Sequence, residues 1–252
     1  MMALLDVAGV TKRFGGVVAV SKVDLTVEAG SIAAVIGPNG AGKTSLFNVV
    51  SGFEKPDDGA VTFDGTRVER MTPWQIAGQG LVRSFQTPVG FPELSVWENL
   101  MVAGSDRTVE RVLSAFSGRW KKLESETNDR ARRLLSQLEL DDARDTRLAD
   151  LTPGDVKLVD FARQLMVRPT MMLLDEPASG VDPASIGRLS NLIQGVRDEG
   201  ITVLVIDHNI GFVLGIADVV HVMALGEVIA RGTPDEIVKN PSVVEIYLGK
   251  RT

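Results

Sequence analysis

Gly37-Pro38-Asn39-Gly40-Ala41-Gly42-Lys43-Thr44 lies between Ser31 to Ile36, which reads as a short buried strand, and a segment of helical character, Thr44 to Val50. The octapeptide fits G-x-x-x-x-G-K-[ST]. With a buried strand before it and a helix behind it, the chain is constrained to a strand–loop–helix unit of an α/β sheet. Glycines let such a loop turn tightly, so successive N–H groups converge on one point where phosphate oxygens are suitable acceptors. Asn39, Gly40, Ala41, Gly42, Lys43, Thr44 and Ser45 are therefore the candidate phosphate-binding positions. Lys43 brings a point charge to β/γ-phosphates, and Thr44 offers a hydroxyl to Mg²⁺.

Composition narrows the setting. With 252 residues the chain has room for one large domain or a core plus a subdomain. A net charge of −6 argues against a nucleic-acid partner, because phosphate backbones attract basic faces. Cysteine is absent, which excludes disulfides and thiolate metal sites and suits a reducing cytosol. Met1 to Asp6 lacks the basic and long apolar regions of a signal peptide. No apolar run reaches the roughly 18 residues of a membrane span, so a link to a membrane is expected to go through a partner.

Residues 4–35 alternate apolar and polar in short runs such as Val23-Asp24-Leu25-Thr26-Val27, which predicts antiparallel strands around a Gly15-Gly16 turn. Gly59 to Gly65 reads as a further strand. From Pro88 to Thr152 strand signals vanish, and Asn128 to Leu138 repeats apolar residues at helical spacing. The expected fold is α/β: a P-loop NTPase core with a mixed sheet, an antiparallel β subdomain and an inserted helical subdomain. The expected limits are 1–87 and 156–232 for the core with its β subdomain, 88–155 for the helical insertion and 233–252 for a C-terminal helical tail. Met171 to Leu174 and, apart from Thr202, Ile201 to Ile206 are continuous apolar runs, as in central parallel strands covered on both faces. Val219 to Met223 begins a hairpin around Gly226. Thr233-Pro234-Asp235-Glu236 has the cap, first-turn proline and third-position acid of a helix start.

Leu173-Leu174-Asp175-Glu176-Pro177 ends a strand in two acids. Beside a P-loop, Asp175 fits a holder of Mg²⁺ opposite Thr44. Glu176 is then placed to orient or deprotonate an attacking water. The other reading of the two acids is a cap on the next helix.

Taken together, the P-loop and LLDEP resemble the ATP-binding subunit of an ABC transporter, over nearly the whole chain from Leu4 to Gly249. Arg13 to Val20, the FNVVSGF run Phe47–Phe53, the VRSFQ run Val82–Gln86, Glu98-Asn99-Leu100 and the end Asn240-Pro241 through Gly249 resemble the branch serving branched-chain amino acid uptake. The resemblance implies further roles. Gln86 reaches Mg²⁺ or the attacking water and connects the site to the transmembrane partner. His208, after the strand ending Ile206-Asp207, orients the γ-phosphate. Phe14 stacks on adenine, although a core position is the other reading of this residue. Asp182, in Ser179-Gly180-Val181-Asp182, bonds the opposing P-loop region across a dimer. His221 lies mid-strand and receives no role.

One segment departs from the family. Where relatives read close to L-S-G-G-Q, this chain reads Leu151-Thr152-Pro153-Gly154-Asp155. Thr152 still caps a helix, with Pro153 at its first position and Asp155 three residues after the cap. Thr152 and Gly154 keep the hydroxyl and the small residue that contact the partner subunit's nucleotide in the family. Pro153 removes an N–H donor. Asp155 puts a carboxylate where an amide is usual, a repulsion of about 3 kcal/mol against a phosphate charge at ~6 Å and an effective dielectric near 20. Screening, or a neighbour such as Lys157, is expected to offset much of it.

These expectations define an ATP-hydrolysing subunit with ATP and Mg²⁺, peripheral on the cytoplasmic face of the cell membrane. Its partners are integral-membrane permease subunits, a second ATP-binding subunit in a homo- or heterodimer, and, indirectly, an extracytoplasmic substrate-binding protein. The alternative is a regulatory or structural half of a heterodimer with a weakened signature. A P-loop GTPase is disfavoured, because no N-K-x-D is present to read guanine.

Overall fold

A computed structural model of the protein describes residues 3–84, 90–105 and 119–248. By its internal contacts the chain divides into two compact units. One comprises Met1–Gln86, Pro169–Ser179 and Ile193–Thr252; the other comprises Thr87–Arg168 and Gly180–Leu192.

The first unit opens with β1 (Ala3–Phe14) and β2 (Val17–Glu28), an antiparallel hairpin closed at Gly15-Gly16. Alternating burial along both strands sends Leu5, Val7, Val23, Leu25 and Val27 inward. β3 (Ile32–Ile36) follows and is buried throughout, then α1 (Lys43–Val50). β4 (Asp58–Phe63) pairs with β1, and the short β5 (Thr66–Arg67) pairs with β4, completing a four-stranded antiparallel sheet. Leu46, Phe47, Val49 and Val50 of α1 join one apolar cluster with residues of that sheet and with Val35 of β3. α2 (Pro73–Gly78) carries a reciprocal Thr72–Gln75 capping box and leads into β6 (Leu81–Arg83).

The second unit is helical. α3 (Val96–Gly104) starts from a Ser95–Glu98 capping box. Next come α4 (Arg119–Gln137), with Ala131, Leu134 and Leu135 inward, and α5 (Pro153–Met166). The buried Asn99 side chain ties the approach to α3 together by bonding Phe91, Leu94 and Ser95. The start of α6 (Pro183–Asp198) also belongs to this unit.

The chain returns to the first unit with β7 (Met171–Asp175), β8 (Thr202–Ile206) and α7 (Ile210–Ile216), then β9 (Val219–Ala224) and β10 (Glu227–Gly232). These strands, with β3 and β6, form a six-stranded sheet in the order β10-β9-β3-β8-β7-β6. All of its pairings are parallel except β9–β10 at the edge. β3, β7 and β8 are fully buried, which is why their sequences run apolar without alternation, except for Asp175 at the end of β7 and Thr202 at the start of β8. α8 (Pro234–Lys239), capped by the Thr233–Glu236 box, and α9 (Pro241–Leu248) end the described chain. The fold is thus the α/β arrangement expected, with a mixed sheet, a separate antiparallel sheet and helices.

One brace bears on the site. The Ser21 N–H donates to the Gly226 carbonyl at 2.8 Å, and the Gly226 N–H donates to the Ala41 carbonyl at 3.1 Å. The β2 strand, the β9–β10 turn and the loop after β3 are therefore joined by backbone bonds.

Candidate functional site

The candidate residues of the first unit follow the carboxyl ends of adjacent parallel strands, where open α/β sheets bind ligands. The Gly37–Thr44 loop follows β3, Asp175 ends β7 with Glu176 next, and Asp207-His208 follows β8.

The loop enters α1 through Gly42, left-handed at φ 96°. A β-carbon there would collide with the Ala19 carbonyl, so glycine is needed for close approach as well as for conformation. No side chain caps α1, whereas Ser95, Thr152, Asn209 and Thr233 each accept a first-turn N–H of their own helices. The first-turn N–H groups of a helix have no intrahelical acceptor, and together with the helix dipole they suit an anion. The buried Lys43 ammonium donates to the carbonyls of Gly37 at 2.7 Å and Pro38 at 3.0 Å. Burial lowers its pKa, and the nearby charges of Glu176 and Asp175 partly offset this. Asn39, Gly40 and Thr44 are exposed at the loop surface, while Ala41 is buried and Ser45 half-buried.

Asp175 is buried, with a side chain 4% exposed, and its Oδ2 accepts from the Arg83 guanidinium at 2.7 Å. Its N–H donates to Ser84 Oγ at 3.0 Å. Its Oδ1 accepts no hydrogen bond from the described residues. A buried carboxylate oxygen left in this way fits one ligand position of a hard divalent cation. Among the described residues no three His, Asp or Glu side chains gather into a cation cage.

Glu176 adopts a left-handed φ of 50°, a conformation that costs a non-glycine residue on the order of 1–2 kcal/mol. Its N–H donates to the Ile206 carbonyl at 2.8 Å, which fixes the strained turn against β8. His208 Nδ1 lies 3.9 Å from Glu176 Oε2 and 3.8 Å from Asp207 Oδ1, and the imidazole is 59% exposed. Between them sits Asp207, whose fully buried carboxylate accepts from the Ala178 N–H at 2.9 Å and the Asn209 N–H at 2.8 Å. Asp207 thereby links the turn after Glu176 to the turn carrying His208.

Phe14, at the tip of the β1–β2 hairpin, is 43% exposed with Val17 and Val18 also outward, so it is not a core residue. The Lys12 ammonium stands 5.1 Å above its ring. Gln86 lies outside the described residues.

The signature positions belong to the second unit. Thr152 caps α5, accepting the Asp155 N–H at 3.2 Å and donating its hydroxyl to Asp155 Oδ2 at 2.8 Å. Asp155 Oδ1 accepts from the Arg188 guanidinium at 2.8 Å. Arg188 on α6, thirty-three residues away, is thus a counter-charge for Asp155 that sequence proximity does not suggest. Gly154 is buried, and a β-carbon there would stand 2.8 Å from Ser185 Oγ and 3.0 Å from Asp182 Oδ2. Asp182 caps α6 through the N–H groups of Ala184 at 3.0 Å and Ser185 at 3.1 Å. Hydrogen bonds from Ser185 hold its carboxyl below the usual range.

Sequence reasoning missed Arg83, Asp207 and Arg188. Arg83 lies inside the VRSFQ run and Asp207 directly before His208, which was the available signal. Arg188 had none, because its partner is set by the packing of two helices.

Residues 20–179 match the family model described as ABC transporter, and residues 227–251 match one described as branched-chain amino acid ATP-binding cassette transporter. A protein of Archaeoglobus fulgidus called "Probable branched-chain amino acid transport ATP-binding protein LivG" is 39% identical, covering 98% of this chain and 96% of its own. A Salmonella typhimurium protein, "High-affinity branched-chain amino acid transport ATP-binding protein LivG", is 38% identical over 98% of both. Among solved structures, the ADP conformation of MJ1267, titled an ATP-binding cassette of an ABC transporter, superposes with a TM-score of 0.85 at 34% identity. The match covers 99% of this chain and 100% of that one. With near-complete coverage on both sides and the nucleotide-site motifs in place, the chain belongs to the ABC transporter family as an ATP-binding cassette.

Proposed function

We propose that this chain is the ATP-binding and ATP-hydrolysing subunit that powers an ABC importer of branched-chain or related amino acids. One observation carries the ATPase reading: Lys43 in its loop, Asp175, Glu176 and His208 all follow the carboxyl ends of neighbouring strands β3, β7 and β8. The amino acid reading rests on the named relatives and on the match at residues 227–251.

The chain's own groups divide the work. The α1 N–H groups and Lys43 take the phosphates, with phosphate oxygens replacing the Gly37 and Pro38 carbonyls as acceptors of the ammonium. Thr44, Asp175 and Gln86 would hold Mg²⁺, which would supply positive charge against the phosphates. Glu176 accepts the proton of the attacking water, and its strained, pinned backbone fixes where that carboxylate points. His208 orients the γ-phosphate, held by the turn that Asp207 anchors. Phe14 gives adenine an exposed ring.

Two such chains, or this chain and a related one, enclose ATP between the P-loop side of one and Thr152 with Gly154 of the other. The pairing of Asp155 with Arg188 favours a competent signature over a regulatory half-site, since the carboxylate has a counter-charge. Among the described residues no helix is long and apolar enough to cross a membrane. In this reading the chain sits on the cytoplasmic face of permease subunits, and an extracytoplasmic binding protein delivers substrate to them.

The test is ATP turnover by the chain with its permease reconstituted in vesicles, with and without binding protein and leucine. Leucine-stimulated turnover supports the whole reading. Turnover without any amino acid response removes the substrate assignment, and no turnover removes the ATPase.

A further inference from the structure

We infer that Arg83 is a positioning residue for Asp175 and so sets the Mg²⁺ dependence of nucleotide binding; this rests on the ATPase reading above. Arg83 ends β6, and its side chain is only 8% exposed. Burying a guanidinium is costly unless its donors are matched. Here the two terminal nitrogens are matched. One nitrogen donates to Asp175 Oδ2 at 2.7 Å. The other donates to Asn48 Oδ1 at 2.7 Å and Ser51 Oγ at 2.9 Å, at the carboxyl end of α1. The rings of Phe47 and Phe53 flank it at 5.8 and 5.7 Å.

The same helix therefore carries Lys43 and Thr44 at its start and the anchor of Arg83 at its end. Arg83 in turn occupies one oxygen of Asp175, and the neighbouring Ser84 fixes the Asp175 backbone. The carboxylate cannot rotate without breaking a charge-assisted bond, and Oδ1 is the oxygen left over. Mg²⁺ demands near-ideal octahedral geometry, so a ligand oxygen with a fixed direction matters more to it than to a larger cation. Partners that orient a metal's ligand typically change metal affinity on the order of ten- to a hundred-fold when altered.

The experiment is titration of Mg²⁺ against a fluorescent ATP analogue bound to the purified chain, alongside binding of the same analogue in EDTA. Arg83→Lys keeps the charge and loses the fork. Asn48→Ala keeps Arg83 and releases its far end. The expected result for Arg83→Lys is a Mg²⁺ half-saturation on the order of ten-fold higher, with affinity in EDTA unchanged. Asn48→Ala should move the same way by less, and it decides the matter if Arg83→Lys does not fold. Asp175→Asn should also raise the half-saturation, and adding Arg83→Lys to it should raise it no further. An unchanged half-saturation, an equal loss of affinity in EDTA, or additive effects with Asp175→Asn would overturn the assignment. A parent chain that binds no analogue at all overturns the ATPase reading instead.

Discussion

Arg188 and Asp155 form an ion pair at 2.8 Å that joins α6 to the first turn of α5, with the two side chains 25% and 19% exposed. The same guanidinium donates to Ser185 Oγ at 2.9 Å, and Asp155 also accepts the Thr152 hydroxyl. An acid that looks hostile to phosphate is thereby neutralised by a residue far away in sequence. In the proposed dimer, Arg188→Met should leave that acid facing the nucleotide of the opposing subunit, at a cost approaching about 3 kcal/mol before screening. The expected outcome is at least a ten-fold weaker ATP-dependent dimer, measured by sedimentation in a Glu176→Gln background. Asp155→Gln in the same chain should restore most of it.

Glu176→Gln should lower turnover by roughly 10²- to 10⁴-fold while leaving ATP affinity near that of the parent. ATP-bound dimer should accumulate. The left-handed φ of 50° adds a second, independent expectation. Glu176→Gly relieves about 1 kcal/mol of backbone strain. Its melting temperature should rise by ~2–4 °C while turnover is lost. A fall in melting temperature would show that Glu176 contributes more to folding than its backbone costs.

His221 on β9 is buried, and the Thr26 backbone only weakly favours its protonated form. Burial, and secondarily the Arg231 charge on β10, lower its pKa from 6.5 to about 4. The unfolded chain therefore binds this proton more readily than the folded one. Stability is intact above pH 6.5 and falls as pH drops from 6.5 to about 4, by an amount on the order of 3 kcal/mol in all. His221→Leu should flatten this part of the profile, read from urea melts between pH 7 and 5.

Gly154→Ala places a methyl group 2.8 Å from Ser185 Oγ. Overpacking of this kind costs about 1–3 kcal/mol. Monomeric nucleotide binding should be retained, while the melting temperature falls and ATP-dependent dimerisation weakens. Ser185→Gly should recover part of the loss, because it removes the atoms in collision.

Much of the first unit was legible because local chemistry dictates it. Continuous apolar runs gave β3, β7 and β8, the P-loop gave α1, and Thr233 with Glu236 gave the start of α8. The antiparallel hairpin was readable from alternation and Gly15-Gly16. What was not legible depended on non-local partners. Nothing near Asp155 in sequence points to Arg188, and nothing near Asp175 requires that Arg83 should take one of its oxygens. The exposure of Phe14 was undecided for the same reason, since a hairpin tip is polar or packed according to what lies against it.

The backbone bonds from Ser21 to Gly226 and from Gly226 to Ala41 have a consequence for affinity. They make the hairpin bearing Phe14 and the loop bearing Lys43 parts of one stiff frame. If adenine stacks on Phe14 as proposed, a nucleotide meets two handles, ring and cation, at a separation set during folding. Once its phosphates are held, the base is presented to the ring at high effective concentration, as in a chelate. Adenosine alone and triphosphate alone should each bind weakly, and the covalent link between them should count for more than either contact.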